Sequence, residues 1–193
     1  MDIQKQIQFF SLKRLQGYRD ISEHYASFLL IRDLSIKIDI LEIVTRNKIA
    51  RLLGITDDTF ISSQTLGFWC KNISQHKIHN ELLNMEYINF KKYSRFNKKD
   101  KMRNYQRVEV AYSLFRTLRN RAFHFENLYK QNQNATPRLS TCMTFGRTKV
   151  IVGIETDRIE GFLDDMLDSF DSELREYAQG RYNDNESIGI LCS

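Results

Sequence analysis

The longest periodic pattern in the chain runs from Tyr105 to Lys130, with the sequence YQRVEVAYSLFRTLRNRAFHFENLYK. Apolar residues recur there at alternating spacings of three and four, at Val108, Ala111, Phe115, Leu118, Ala122, Phe125 and Tyr129. At about 100° per residue these positions share one stripe, and no Gly or Pro interrupts them. The pattern therefore predicts one continuous helix of about six turns.

A second face of this predicted helix is polar and lies beside the apolar stripe. It carries Arg116, Arg119, Asn120, His124 and Asn127. Arg119 and His124 are separated by about 140° on a helical wheel, and Arg116 and Asn120 lie in the arc between them. We expect this contiguous polar face to carry the function.

Shorter patterns predict a mainly α fold around this helix. Periodicity and capping residues predict helices over 2–15, from a Ser22 N-cap onward, over 34–53, and from a Thr65 N-cap to about His76. A further amphipathic helix, within about 156–179, carries its acidic residues outward. The glycines at 146 and 153 around TKVIV allow a short strand or hairpin near 142–154.

Composition favours a single helical domain over residues 1–193. One proline and eight glycines in 193 residues argue against disorder and against a turn-rich β architecture. No apolar stretch approaches the roughly 20 residues that span a bilayer. The N-terminal MDIQKQIQFF lacks the pattern of a secretory signal. We therefore expect a cytoplasmic protein without a membrane partner.

The charges are distributed unevenly along the chain. From Lys91 to Arg121 there are eleven Lys or Arg against two acids, whereas nine acids face two arginines from Glu155 to Glu176. We call the first part of the basic stretch the basic block; its candidate RNA-binding residues are Lys91, Lys92, Arg95, Lys98, Lys99, Lys101, Arg103 and Arg107. The interleaved rings are Tyr93, Phe96, Tyr105 and Tyr112. Cations for phosphates and rings for bases suit a polyanion, although a solvated helix face would have the same composition.

Cysteine and histidine spacing predicts neither a metal site nor a cofactor. Cys70, Cys142 and Cys192 are far apart and odd in number, which fits neither a disulfide framework nor metal-ligand spacing. His76 and His79 are three residues apart but have no acid or cysteine at zinc-site spacing. We expect three reduced thiols, no metal and no cofactor.

The pair Arg119 and His124, with four residues between them, is by spacing alone a weak signal. Arg19 and His24 have the same spacing, and they bracket Asp20 and Glu23 directly after a glycine. That context predicts a salt-bridged helix start. The Arg119 pair lies instead on a basic helix face, so its context distinguishes it.

The stretch Arg119-Asn120-Arg121-Ala122-Phe123-His124, followed two residues later by Glu126, closes a long predicted helix. This R-N-R-x-x-H-x-E pattern resembles the signature of Abi-like (abortive infection) proteins of the HEPN superfamily. Upstream, LEIVTRNKIARLLG at 41–54 and TLGFWCKNI at 65–73 resemble the family's first helix and its Trp-containing segment. The resemblance covers about 20–130. It departs from the family at Phe125, where a second histidine is common.

The resemblance implies a HEPN-like helical bundle that acts as a metal-independent endoribonuclease in toxin–antitoxin or phage-defence systems. Its catalytic residues would be Arg119, His124 and Asn120, with supporting roles for Glu126, Arg116 and Arg121. A histidine exchanges protons near neutral pH, and an arginine stabilises charge on the phosphorus. Attack by the ribose 2′-hydroxyl leaves a 2′,3′-cyclic phosphate and restricts the substrate to RNA. A two-fold homodimer would bring two histidines together.

Two other classes of function remain open. The missing second histidine is compatible with a catalytically silent module that binds RNA or a nucleotide. The basic block is also compatible with an antitoxin or scaffold that meets an acidic partner, such as the 155–176 segment of a second copy. A cognate antitoxin is a further partner that the resemblance suggests.

Overall fold

A computed structural model describes residues 1–98 and 102–181 of the chain, apart from the side chain of Thr148. The described residues form helices joined to a single β-hairpin, which confirms the predicted mainly α class. The helices are α1 (Ile3–Phe10), α2 (Leu12–Leu15), α3 (Ile21–Leu52), α4 (Asp58–Ser63), α5 (Leu66–His76), α6 (His79–Leu82), α7 (Asn104–Phe123), α8 (Ile159–Asp168) and α9 (Ser172–Ala178). Short 3-10 turns cover Phe90–Lys92 and Thr156–Arg158, and the hairpin pairs β1 (Ser140–Phe145) antiparallel with β2 (Thr148–Gly153).

The helix α3 is the element against which the others pack. Its 32 residues span about 48 Å, and it contacts α5, α7, α8 and α9. The buried positions Leu34, Ile38, Leu41 and Ile49 repeat at helical spacing, whereas Ile36 in the same stretch is exposed. The alternation of isoleucines around residue 38 is thus a local feature of a helix, and no strand forms there.

Two predicted helix boundaries near the N-terminus are wrong. The segments expected from Ser22 and over 34–53 are one helix, and its N-cap is Asp20. The Asp20 carboxylate accepts hydrogen bonds from the Ser22 hydroxyl and the Glu23 backbone N–H, which lower its pKa to about 2. The stretch 2–15 is in turn two helices, because Ser11 adopts a left-handed φ of 65° and starts α2 as its N-cap.

The helix α7 lies in the core between α3 and the hairpin. Five of the predicted stripe residues are fully buried: Val108, Ala111, Phe115, Leu118 and Ala122. Val110 and Leu114, which lie outside the stripe, are also buried. Burial on more than one side follows from the position of α7, because β1 packs on it and the Ser113 and Thr141 hydroxyls meet.

The acidic C-terminal segment, predicted as one helix, is divided into shorter elements, and it packs on α3. It is a 3-10 turn, α8 and α9, with a break at Asp171, which caps α9. Several of its acids bind the body of the domain. The buried Lys37 ammonium lies 2.7 Å from both Glu160 and Asp164, and these carboxylates raise its pKa against the opposing effect of burial. None of the described helices is long and apolar enough to cross a membrane.

Candidate functional site at the end of α7

The helix α7 ends seven residues before the predicted boundary. His124 is its C-cap, and Phe125 adopts a left-handed backbone conformation with φ of 52°. The Phe125 N–H donates to Ala122 O and the Glu126 N–H to Arg121 O, the two bonds of a Schellman motif. A phenylalanine in this conformation costs about 1 kcal/mol relative to glycine. Periodicity continues past Phe123 in the sequence, but the helix does not.

The first turns of the chain fix this strained end. Arg14 Nη1 donates to the Phe125 carbonyl at 2.8 Å, and the Tyr18 hydroxyl is 3.3 Å from the same oxygen. Asn127, predicted to lie on the helix, instead bonds through Nδ2 to the Gly17 carbonyl at 2.9 Å and to Glu23. These bonds join the chain after α7 to the segment after α1, more than 100 residues away.

His124 therefore lies in a groove that we call the His124 groove, an open cavity of about 470 Å³. The groove is lined by Ser11, Lys13, Arg14, Gly17, Tyr18, His124, Phe125, Glu126, Asn127, Lys130 and Arg138. The His124 side chain is exposed. The groove combines residues from two distant parts of the sequence, 11–18 and 124–138, and the one histidine among its described lining residues is the one that the sequence pattern selected.

The electrostatics of the groove favour an anion. Lys13, Arg14, Lys130 and Arg138 line it, and Glu126 is the single acid among the lining residues. Behind them, Arg121 Nε lies 4.0 Å from Glu126. Burial lowers the pKa of Arg121, Glu126 opposes this shift, and the nearby Arg138 adds to it. A bound phosphate would balance this excess of four cations over one carboxylate among the described lining residues.

A buried histidine supports the floor of the groove. His24 is 2% exposed and makes edge contacts with Phe10, Tyr18 and Phe28, at centroid distances of 4.9, 4.7 and 5.0 Å. Its Nε2 is buried without a hydrogen-bond partner. Burial, with a smaller effect of Arg14, lowers its pKa.

The predicted salt-bridged start of the helix at Arg19 is confirmed, since Arg19 Nε lies 3.2 Å from Asp20 and 3.9 Å from Glu23.

Arg119 is placed differently from His124. Its guanidinium binds Glu42 of α3 in a bidentate pair, with Nε and Nη2 at 2.8 and 3.3 Å from the two carboxylate oxygens. The guanidinium also lies over the Phe123 ring, 5.1 Å from its centroid. The side chain is 34% exposed. Near the pair, burial and the Glu42 charge raise the pKa of Asp39, and Arg119 opposes the shift.

The remaining helix residues are divided among different surroundings. Asn120 is exposed, and its carbonyl accepts the His124 N–H at 3.0 Å. Arg116 is exposed and lines a separate cavity together with Cys70 and Glu109. Arg119, Asn120 and Arg116 do not line the His124 groove. A single chain thus brings His124 together with Glu126, and Arg121 close behind them, but leaves Arg119 outside.

The basic block is partly neutralised within the chain. Lys92 Nζ lies 3.5 Å from Asp165, and Arg95 Nε lies 3.9 Å from Glu155. Arg107 donates through Nη2 to the carbonyls of Met85 and Ile88, so it holds a loop. Two acids of the 155–176 segment therefore contact the basic block within the same chain.

The other candidate RNA-binding residues differ in exposure. Lys91, Lys98 and Arg103 are exposed, whereas Lys99 and Lys101 lie outside the described residues. Among the interleaved rings, Tyr93 and Tyr112 are 2% exposed, and burial is the main cause that raises both of their pKa values. They cannot stack on a base. Phe96 and Tyr105 keep exposed surface.

The cations that complete the His124 groove were not among the residues predicted from the sequence. Lys13, Arg14, Lys130 and Arg138 belong to no motif, and two of them lie more than 100 residues before His124. The signal that could have found the other two is their positive charge near the end of the predicted helix.

No protein-family model, curated protein or solved structure matches the chain. Within the described residues, no group of three or more His, Cys, Asp or Glu is placed to hold a metal ion.

Proposed function

We propose that the protein is a metal-independent endoribonuclease of the HEPN type and that the His124 groove binds its RNA substrate. The observation that carries the proposal is an exposed histidine in a groove with four cations and one acid. Such a groove suits consecutive phosphates, and a histidine there can exchange protons with the ribose and the leaving oxygen. The predicted pair of Arg119 and His124 remains part of this proposal.

The proposed reaction needs no group from outside the protein and RNA. The ribose 2′-oxygen attacks phosphorus as a base takes its proton, and the P–O5′ bond breaks as an acid protonates the departing 5′-oxygen. The products are a 2′,3′-cyclic phosphate and a 5′-hydroxyl. A single histidine in the groove cannot serve efficiently as both base and acid. We therefore propose a two-fold homodimer in which His124 of a second copy supplies the other histidine.

The biological setting follows from the family resemblance. We propose a cytoplasmic toxin or phage-defence effector of the abortive-infection type, whose activity a cognate antitoxin would restrain. The groove and its charge support this proposal. The RNA target is therefore best sought by sequencing the new 5′-hydroxyl ends that appear in cells expressing the protein.

The first test is cleavage of single-stranded RNA by the wild type in the presence of EDTA. We expect cyclic-phosphate ends, and we expect His124→Ala and Arg119→Ala each to abolish them. His76→Ala is the matched control, because His76 is an exposed histidine outside the groove. Full cleavage by His124→Ala, or equal loss in His76→Ala, would refute the proposed role.

A second test asks how the site is shared between copies. If Arg119 of one copy acts with His124 of the other, mixing the two inactive variants creates one intact site per heterodimer and restores part of the activity. If a single composite site needs both copies of each residue, no mixture recovers activity. A strictly monomeric protein at the assay concentration, shown by light scattering together with full activity, would contradict the dimer.

A catalytically silent RNA-binding module is the second candidate. The bidentate contact with Glu42 favours it, because that contact occupies the Arg119 guanidinium within one chain. This candidate predicts salt-dependent RNA affinity, loss of affinity on neutralising Lys130 or Arg138, and no products at any enzyme concentration. The absence of cyclic-phosphate ends together with retained binding would therefore favour it over the nuclease.

A further inference from the structure

A second cavity lies on the other side of the loop that borders the His124 groove. It measures about 490 Å³ and is enclosed by the end of the basic block, the loop before β1, and β2. Its lining residues are Phe90, Phe96, Asn97, Lys98, Met102, Asn132, Asn134, Thr136, Pro137, Ser140 and 149–153. Its volume lies in the range of small-molecule sites, about 300–1,000 Å³. We call it the Phe96 cavity.

The walls of this cavity are held by hydrogen bonds within the chain. Asn97 Nδ2 donates to the Phe90 and Gly153 carbonyls at 2.6 and 2.8 Å, and its Oδ1 accepts the Gly153 N–H at 2.8 Å. The Asn97 side chain thus joins the end of the basic block to β2 by two hydrogen bonds to the Gly153 backbone. Across the cavity, Asn132 Nδ2 donates to Thr136 Oγ1 and to the Pro137 carbonyl, which closes the loop. The cavity is therefore preformed and would not need to order on binding.

The chemistry of the lining suits a nucleobase with its phosphate. Phe96 and Ile151 are 40% and 61% exposed, so an apolar surface and an aromatic ring remain available. Arg95 lies over the Phe96 ring at 5.0 Å from its centroid. Lys98 and Lys149 are exposed, and no acid is found among the described lining residues. Aromatic rings that stack bases beside cations that bind phosphates are how single strands are held.

The two cavities share one loop. Gln131 and Pro137 form an isolated antiparallel bridge that closes the loop. Lys130 and Arg138, which flank the bridge, line the His124 groove, whereas Pro137 lines the Phe96 cavity. Consecutive Cα atoms are about 3.8 Å apart. The adjacent residues Pro137 and Arg138 therefore belong to different cavities, and a strand with a phosphate at Arg138 would cross this loop to place a neighbouring nucleotide in the Phe96 cavity.

We infer that the Phe96 cavity is a base-binding subsite for an unpaired nucleotide adjacent to the phosphate in the His124 groove. The inference rests on the proposed function for the identity of the strand as RNA. It assigns Phe96 to base stacking and Lys98 and Lys149 to the phosphate of that nucleotide. Of the other interleaved rings, Tyr93 and Tyr112 are buried, and Tyr105 is exposed but does not line the Phe96 cavity.

The test measures binding without cleavage. The probe is a fluorescein-labelled 2′-O-methyl oligouridylate of about 12 nucleotides, within the site sizes of single-strand binders. We expect Phe96→Ala to weaken binding about tenfold, the loss of one stacked base. Phe9→Ala, at a more exposed phenylalanine outside both cavities, should leave the affinity unchanged. Lys149→Gln should reduce the salt slope by about 0.7, and Lys5→Gln should not.

An oligonucleotide of abasic sugars separates stacking from a general loss of structure. We expect it to bind the wild type about tenfold more weakly than the oligouridylate and to bind Phe96→Ala no more weakly than it binds the wild type. Equal losses for both ligands would overturn the subsite, as would unchanged affinity and salt slope in Phe96→Ala and Lys149→Gln. If the protein binds RNA but is not a nuclease, the expected losses of affinity will be seen in these binding experiments and no cleaved RNA will be found.

Discussion

Arg119 and His124 lie on the same helix, five residues apart, yet they have opposite surroundings. Arg119 is bound by both oxygens of Glu42 and covered by Phe123, so its charge is satisfied within the chain. His124 is exposed at the end of the helix, in a groove where cations exceed acids. One polar face on a helical wheel is therefore two separate sites in the structure. The helix α3 supplies Glu42, the partner of Arg119, whereas α2 supplies part of the groove around His124.

This difference separates residues that stabilise the fold from residues that remain available to a ligand. A charged side chain that already has a complementary partner gains little from an incoming phosphate. The cations of the His124 groove, which outnumber the acids four to one among its described lining residues, gain more. The comparison predicts that changes at Arg119 lower stability as well as cleavage, whereas changes at His124, Lys130 and Arg138 affect RNA and leave stability intact.

The largest expected effect is on catalysis. His124→Ala should lower the rate of RNA cleavage by about 10²- to 10⁴-fold, the usual contribution of a general acid or base. Its melting temperature should stay that of the wild type, since the side chain is exposed. Single-turnover cleavage and thermal melts of the same samples measure both quantities. A variant that melts early would show that His124 supports the fold rather than the reaction.

The next effect is on affinity. Lys130→Gln combined with Arg138→Gln should weaken binding of the 2′-O-methyl oligouridylate about tenfold and lower the salt slope by about 1.4, the contribution of two phosphates. Stability should not fall, because burial is the main cause that lowers the pKa of Arg121, and removing the Arg138 charge takes away a smaller repulsion that adds to it. Fluorescence anisotropy at several salt concentrations measures the slope. The control is Lys71→Gln with Arg51→Gln, two exposed cations away from the groove.

A smaller effect tests the other half of the comparison. Arg119→Ala and Glu42→Ala should each lower the free energy of unfolding by about 1 kcal/mol, since the pair is bidentate but partly exposed. The double variant should lose less than the sum of the two, because the second change removes a group that is already unpaired. Urea unfolding of the four proteins completes the cycle. Strict additivity would mean that the Glu42 contact does not stabilise the fold.

The smallest effect is a pH dependence of stability that originates at His24. Its folded pKa is lowered, so the unfolded chain binds the proton more readily. The contribution of the neutral imidazole is complete above the unfolded value of about 6.5 and is lost as the pH falls through the lowered folded value. His24→Phe should remove this acid sensitivity. Urea unfolding between about pH 7.5 and 5.5, about one unit on either side of 6.5, measures it. An unchanged slope in the variant would assign the sensitivity to another group.

Predictions from the sequence were most accurate where local chemistry decides the structure. The Thr65 N-cap, the buried stripe of α7 up to Ala122 and the hairpin near 142–154 are confirmed, because each depends on residues a few positions apart. The end of α7 was wrong for a different reason. Apolar spacing continues to Tyr129, but Arg14 and Tyr18 bind the Phe125 carbonyl and stabilise a left-handed turn that the local sequence disfavours.

The sequence by itself determined a mainly helical domain, the buried face of α7 and the choice of His124 as a residue of interest. These follow from periodicity and residue type. The tertiary structure alone decided that Arg119 binds Glu42, that His124 caps its helix, and that Lys13 and Arg14 join Lys130 and Arg138 around it. Such contacts join residues distant in sequence, and electrostatic and hydrogen-bond partners depend on distances in space that no spacing along the chain encodes.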